Sequence, residues 1–187
     1  MRRVISDLMM SLDGCFEGPK GEIDWFVWDK DMEKYSLDVL QTVDAILLGR
    51  VAYQLFASYW PTPAAAAENP AIASLMNRLP KIAFSRTLDK VEWNNSRLVR
   101  DNIPEEMAGL KNQPGKDLVM FGGAGIFSAF ARLGLIDEYR FRINPLVLGN
   151  GRPLFKDMKN RLDLKFLKSE TSGSGVVTLF YQPARPR

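Results

Sequence analysis

Between Arg3 and Leu12 the apolar residues Val4, Ile5, Leu8, Met9 and Met10 form a run that ends in Asp13 and Gly14, the pattern of a buried first strand entering a turn. Gly18, Pro19 and Gly21 punctuate the following loop, Trp25, Phe26 and Trp28 come next, and the polar run from Asp31 to Gln41 favours helix. A short apolar strand from Ala45 to Leu48 closes on Gly49 and Arg50, and Tyr53, Leu55 and Phe56 predict a helix that stops before Pro61. The four alanines from Ala64 to Ala67, between Pro63 and Pro70, read as a mobile surface excursion. Further along, the pattern predicts strands over Lys81 to Phe84 and Asp117 to Phe121, and helices over Glu105 to Lys111 and Ile126 to Leu133. It ends in strands over Ile136 to Ile143, Leu162 to Ser169 and Val176 to Tyr181, the last two joined by a hairpin-like turn at Ser172 to Gly175. Strands alternate with helices first and dominate later, which predicts one α/β domain with a mostly parallel central sheet, an antiparallel edge, an antiparallel C-terminal strand, and helices on both faces.

Composition narrows the function classes. A chain of 187 residues buries roughly 70% of its unfolded surface as one domain, and 46% hydrophobic with 25% charged residues is the balance of a globular protein. Its 25 Lys and Arg against 22 Asp and Glu leave a net charge of +3 that is scattered, which argues against nucleic acid as a partner. Arg185 and Arg187 around Pro186 read as a frayed terminus rather than a binding arm. Cys15 is the single cysteine, so no intramolecular disulfide forms and a reducing, cytoplasmic location is expected. No signal-peptide core and no apolar span of about twenty residues is present, so no membrane partner is expected. Histidine is absent, which removes Ser-His-Asp and Cys-His chemistry and most transition-metal sites. Acid and base work falls to Asp, Glu, Tyr, Lys, Cys15 or water, a list that suits a reaction whose difficult step is carried by a cofactor.

Three strand ends carry candidate chemistry. Gly122, Gly123, Ala124 and Gly125 link a strand to a helix; small residues let the backbone approach a phosphate and the helix start offers free amides, although the same glycines also serve a plain tight turn. Gly49 with Arg50 and Ser85 with Arg86 end two other strands, where ligands of open α/β sheets sit and where arginines either grip a phosphate or remain solvated. Asp13 and Asp24 are candidates to supply a proton or a polarising hydrogen bond, with a turn role for Asp13 and a helix cap for Asp24 as the alternatives. Trp25, Phe26 and Trp28 either wall a flat pocket or pack in a core or interface.

The segments SLDGCFEGPKGEIDW from Ser11, DAILLGRVAY from Asp44, FSRTL from Phe84, VMFGGAGIFSAFARLGLIDEY from Val119 and INPLVLGNGRPLF from Ile143 together resemble the dihydrofolate reductase-like superfamily. They are most similar to the reductase domain of the riboflavin-biosynthesis deaminase-reductase and its short stand-alone relatives. The resemblance implies a three-layer dihydrofolate reductase-like fold and NADPH-dependent hydride transfer to a small-molecule substrate. It further implies that Leu12 and the first loop border the nicotinamide and that Gly49, Arg50, Ser85 and Arg86 hold the adenosine phosphate end. Gly122, Gly123, Ala124, Gly125 and Ile126 would hold the diphosphate, and Trp25, Asn144, Pro145, Leu148 and Gly149 would lie on the substrate side. Asp24 directly precedes Trp25 and Phe26, whereas dihydrofolate reductase places its carboxylate a few residues ahead of such a pair. Val51 stands where a His often follows the Gly-Arg pair, and the deaminase half with its zinc ligands has no counterpart in this sequence.

The substrate this resemblance favours is 5-amino-6-(5-phosphoribosylamino)uracil, with dihydrofolate as the alternative; Lys20, Arg152 and Lys156 are candidates by position for a phosphoribosyl anchor. A non-catalytic NADPH-binding module is the competing class. A homodimer formed through the final strands is also expected.

Overall fold

A computed structural model describes residues 1–156 and 158–184; the Arg185 and Arg187 tail lies outside the described residues. In chain order the elements are β1 (Val4–Ser11), β2 (Cys15–Glu17), α1 (Lys30–Thr42), β3 (Val43–Gly49), α2 (Arg50–Tyr59), α3 (Pro63–Glu68), α4 (Pro70–Arg78) and β4 (Lys81–Phe84). They continue with β5 (Ser96–Val99), α5 (Ile103–Asn112), β6 (Asp117–Phe121), α6 (Ala124–Arg132), β7 (Glu138–Asn144), β8 (Arg152–Pro153), β9 (Leu164–Thr171) and β10 (Val177–Pro183). The backbone divides into two compact units, one of Met1–Val4 and Lys34–Gly122, the other of Ile5–Glu33 and Gly123–Arg187.

In the first unit the strands run in the order β5-β4-β3-β6, and every ladder is parallel. Such strands are buried on both faces, so they read as continuous apolar runs rather than alternating ones. Ile46, Leu47 and Leu48 of β3 accordingly show no exposure. Ile46 and Leu48 pack with Val39 and Leu40 of α1, Tyr53 of α2, and Ile72, Leu75 and Met76 of α4. Lys81 lies within this unit with no exposed surface. Its Nζ donates to the carbonyls of Met76 and Asn77, both at 2.9 Å, and stands 4.3 Å from the centre of the Trp93 ring. The ammonium thereby caps carbonyls in the last turn of α4 that have no intrahelical partner.

In the second unit the order is β1-β7-β10-β9. β1 and β7 are parallel, and β10 is antiparallel to both β7 and β9. The mostly parallel arrangement with an antiparallel C-terminal strand is therefore present: β10 lies between β7 and β9, and the edge strand β9 pairs antiparallel with it. The reason is the hairpin turn: Ser172 and Gly175 fold β10 back between β7 and β9. Phe127 of α6 meets Tyr139 and Phe141 of β7 edge-on, with ring centres 6.1 Å apart in each case. A buried ion pair joins Arg142 of β7 to Asp7 of β1, 2.8 Å apart.

Two local expectations are corrected. The alanine run is a helix, not a surface excursion: Thr62 caps α3 by accepting from the Ala65 amide, Pro63 occupies its first turn, and Ala65 is fully buried. Alanine is the strongest helix former and Pro at the first helical position is a start signal, so the two prolines mark the starts of α3 and α4 rather than the limits of a loop. Asp24 does not cap α1; Asp29 does, accepting from the Met32 amide at 2.9 Å. The short strands β2, β5 and β8 carry two to four residues each and leave no periodic signal.

Candidate functional site

The first unit brings three predicted positions to one edge of its sheet. Gly49 pairs with Phe84 and Leu48 with Phe121 across parallel ladders, so the chain leaves β4, β3 and β6 at the same level and in the same direction. Ser85 and Arg86, Gly49 and Arg50, and Gly122 are the residues found there. This is the carboxyl end of parallel strands, where open α/β sheets bind ligands. Helix α2 starts directly on Arg50, with Gly49 as an N-cap that has no side-chain acceptor, so its first amides remain available to an anion. Arg50 is exposed. Arg86 is also exposed, and its Nε donates to Asp101 at 3.0 Å. The Ser85 hydroxyl turns into its own loop, accepting from the amides of Thr87 and Leu88 at 3.1 and 3.0 Å. Its contribution is to shape the turn that presents Arg86.

The glycine bend continues from Gly122, whose φ of 142° favours glycine, into Gly123, the N-cap of α6. That cap also lacks a side-chain acceptor, so the first turn of α6, including Gly125 and Ile126, presents donors without side-chain partners. Gly123 has a further reason to be glycine: a methyl group built there would stand 2.7 Å from the Phe16 ring. Phe16 belongs to the first loop, which the resemblance sets beside the nicotinamide, but no spacing signal singles it out.

In the second unit the end of β1 and the segment after β7 are tied into one assembly. The Leu12 amide donates to the Leu146 carbonyl at 2.8 Å. Asp13 accepts from the Ser11 hydroxyl at 2.6 Å and from the amides of Leu148 and Gly149 at 3.1 and 2.9 Å. The Ser11 hydroxyl and these two amides hold the Asp13 carboxyl down at about 2. At neutral pH it is a fixed anion and an acceptor, and it has no proton to donate. Asn144, fully buried, accepts from the Val27 amide at 2.8 Å and donates to the carbonyls of Met10 and Arg142. Its role is to fix the Trp25-to-Trp28 loop against the end of β7. Pro145, Leu148 and Gly149 follow on the segment that Asp13 latches, and Gly149 needs its φ of 69° to turn there.

Trp25 packs edge-on against Phe26 at 4.4 Å and donates from Nε1 to the Glu22 carbonyl at 3.1 Å. Asp24, just before it, is exposed. Leu12 and Val147, 68% and 63% exposed, are apolar surface beside this assembly of a kind that suits a flat ring. Of the candidate phosphoribosyl anchors, Arg152 is engaged with Glu17 at 2.8 Å, while Lys20 and Lys156 are exposed.

Comparison with known proteins places this geometry. The model of the RibD C-terminal domain family matches residues 2–178. The uncharacterized protein YyaP of Bacillus subtilis is 42% identical over 180 residues, which span 96% of this chain and 94% of that protein. A Shewanella sp. PV-4 protein provisionally assigned to riboflavin biosynthesis is 23% identical at a TM-score of 0.78, with 99% of this chain and 100% of that chain covered. The Thermotoga maritima diaminohydroxyphosphoribosylaminopyrimidine deaminase/5-amino-6-(5-phosphoribosylamino)uracil reductase matches at 16% identity and a TM-score of 0.68, over 98% of this chain and 57% of that one. Dihydrofolate reductase from Enterococcus faecalis, in complex with NADP(H), matches at 12% identity and a TM-score of 0.63, over 98% and 97% of the two chains. These structural likenesses establish a dihydrofolate reductase-like fold.

Proposed function

We propose, from the premise that this chain belongs to the RibD C-terminal domain family, that it is an NADPH-dependent reductase of a small heterocyclic substrate, most closely a 5-amino-6-(5-phosphoribosylamino)uracil reductase-like enzyme. The observation that carries the cofactor assignment is the shared edge at which Gly49-Arg50, Ser85-Arg86 and Gly122 leave three adjacent parallel strands. Two exposed guanidinium groups beside uncapped amides fit a ligand with several phosphate oxygens. Bound there, NADPH would supply the hydride.

The chain's own residues do the rest. Arg50 and Arg86 take the adenosine phosphate end, where bidentate contacts favour the extra phosphate of NADPH over NADH. The amides of the bend from Gly122 to Ile126 take the diphosphate. Leu12 borders the reacting ring, and Asp13, ionised and anchored, keeps Leu148 and Gly149 in place as the substrate-side wall. Trp25 and Pro145 complete that wall, with Asn144 setting the distance between their two segments. Since Asp13 carries no proton at neutral pH, water reaches the substrate as proton source, with exposed Asp24 as the candidate to orient it.

The experiment is a turnover assay that follows loss of the reduced nicotinamide absorbance with 5-amino-6-(5-phosphoribosylamino)uracil and, separately, with dihydrofolate. Oxidation with the first substrate supports the reading, and oxidation with dihydrofolate alone moves the substrate to the pterins. NADPH binding with no oxidation across both would make the chain a nucleotide-binding module.

A further inference from the structure

Asn150 is followed by Gly151, and every other asparagine of the chain precedes a residue that carries a side chain. An asparagine side chain closes on the next backbone nitrogen most readily when that residue is glycine, because no Cβ hinders the approach. Asn150 is exposed, and its own amide donates to the Leu148 carbonyl at 2.7 Å. Among the described residues the Gly151 amide has no hydrogen-bond acceptor. A backbone N–H that no acceptor holds loses its proton to solvent base without any opening of the fold. Asp13-Gly14 is the corresponding aspartyl pair, and there the same reaction is closed off. The Gly14 amide donates to the Ser11 carbonyl at 3.0 Å, and the Asp13 carboxylate is occupied by Ser11, Leu148 and Gly149. The Asn150 segment is pinned on both sides of the pair. Asp13 holds Leu148 and Gly149 ahead of it, and behind it Gly151 lies against Cys15, where a methyl group on Gly151 would stand 2.7 Å from the Cys15 Cβ.

We infer that Asn150-Gly151 is a self-modification site whose product, isoaspartate, loosens the segment that Asp13 and Cys15 hold. The Gly151 nitrogen, having lost its proton to solvent base, bonds to the Asn150 Cγ. The Cγ–Nδ2 bond breaks, and the side-chain nitrogen leaves as ammonia with a proton from water. Water then opens the succinimide at either carbonyl, giving aspartate or isoaspartate at position 150, so water is the only co-reactant. Both products place a carboxylate beside the segment that the Asp13 anion holds, and like charges at close range repel. Isoaspartate also routes the main chain through the side-chain methylene, which lengthens the path from Gly149 to Gly151. The packing of Gly151 on Cys15 leaves no space for that added length, so this contact is the one that gives. The modification proceeds whether or not the chain binds a nucleotide, and so stands apart from the cofactor assignment.

The test is ageing of the folded, purified chain in mildly alkaline buffer, followed by digestion and mass spectrometry that separates aspartyl from isoaspartyl peptides. Asn150→Gln, whose longer side chain closes the ring far more slowly, is aged alongside. Cys15 is the single cysteine and is buried beside Gly151, so its reaction rate with a thiol reagent reports on that contact. In the wild type Asn150 converts several-fold faster than Asn94, an exposed asparagine followed by Asn95, and isoaspartate is the major product. Conversion speeds up as pH rises, because the Gly151 nitrogen must first lose its proton. Aged wild type reacts at Cys15 faster than fresh protein, in proportion to its isoaspartate content, and aged Asn150→Gln reacts as fresh protein does. Conversion at Asn150 no faster than at Asn94 overturns the site. Isoaspartate at position 150 with an unchanged Cys15 reaction rate overturns the loosening.

Discussion

The Asp13 carboxylate holds the backbone amide of Gly149 at 2.9 Å across 136 positions of sequence. With the second bond to Leu148, it ties the turn after β1 to the segment after β7. The carboxyl is held at about 2, below its ordinary value near 4, so the ionised form is the one the fold favours. Its stabilisation is therefore fully present above about pH 4 and is lost as pH falls through about 2. Urea unfolding of wild type and Asp13→Asn at pH 7 and at stepwise lower pH should show a difference at neutral pH that narrows across that window. A difference that stays constant with pH contradicts the role.

Lys81 caps the end of α4 from inside the first unit. Lys81→Met keeps the apolar stem and leaves the Met76 and Asn77 carbonyls without this donor, which costs about 1–3 kcal/mol by denaturant titration. Burial pushes the Lys81 amine down to about 8. A folded value below the unfolded one means the unfolded chain binds the extra proton between about pH 8 and 10, so the wild type gains stability relative to Lys81→Met as pH rises through that range.

Thr62 carries a smaller, local effect. Its hydroxyl accepts the Ala65 amide at 3.2 Å, so Thr62→Ala lowers stability by about 1 kcal/mol, read as a shift of the urea midpoint at constant slope.

How much was legible from the sequence varies with the physics of each element. Long buried runs such as Ala45 to Leu48 and the glycine bend after Phe121 declare themselves, because burial on both faces and positive φ restrict the residues allowed. The shared edge of Arg50 and Arg86 followed from parallel strands alone, but Asp101, which holds Arg86, comes from the segment after β5, which periodicity does not reveal. Asp13 was legible as a polar turn residue; its partners Leu148 and Gly149 donate backbone amides, and any residue but proline has one. Phe16 escaped for the same kind of reason: its contact with Gly123 is made across the fold.

Asp101 should also tune the cofactor. Its carboxylate pairs with Arg86 and opposes an incoming phosphate, so Asp101→Asn frees the guanidinium and strengthens NADPH binding several-fold, with NADH affected far less. Added salt should shrink that difference, since both side chains are exposed.

The most direct measurement is a titration of NADPH and NADH, followed by protein fluorescence, into the wild type and into the Arg50→Ala/Arg86→Ala double variant. The account predicts that the wild type prefers NADPH and that the double variant loses about 10–100-fold in NADPH affinity while its NADH affinity barely changes. Equal affinities of the wild type for the two nucleotides, or a double variant that binds NADPH as tightly as the wild type, would contradict it.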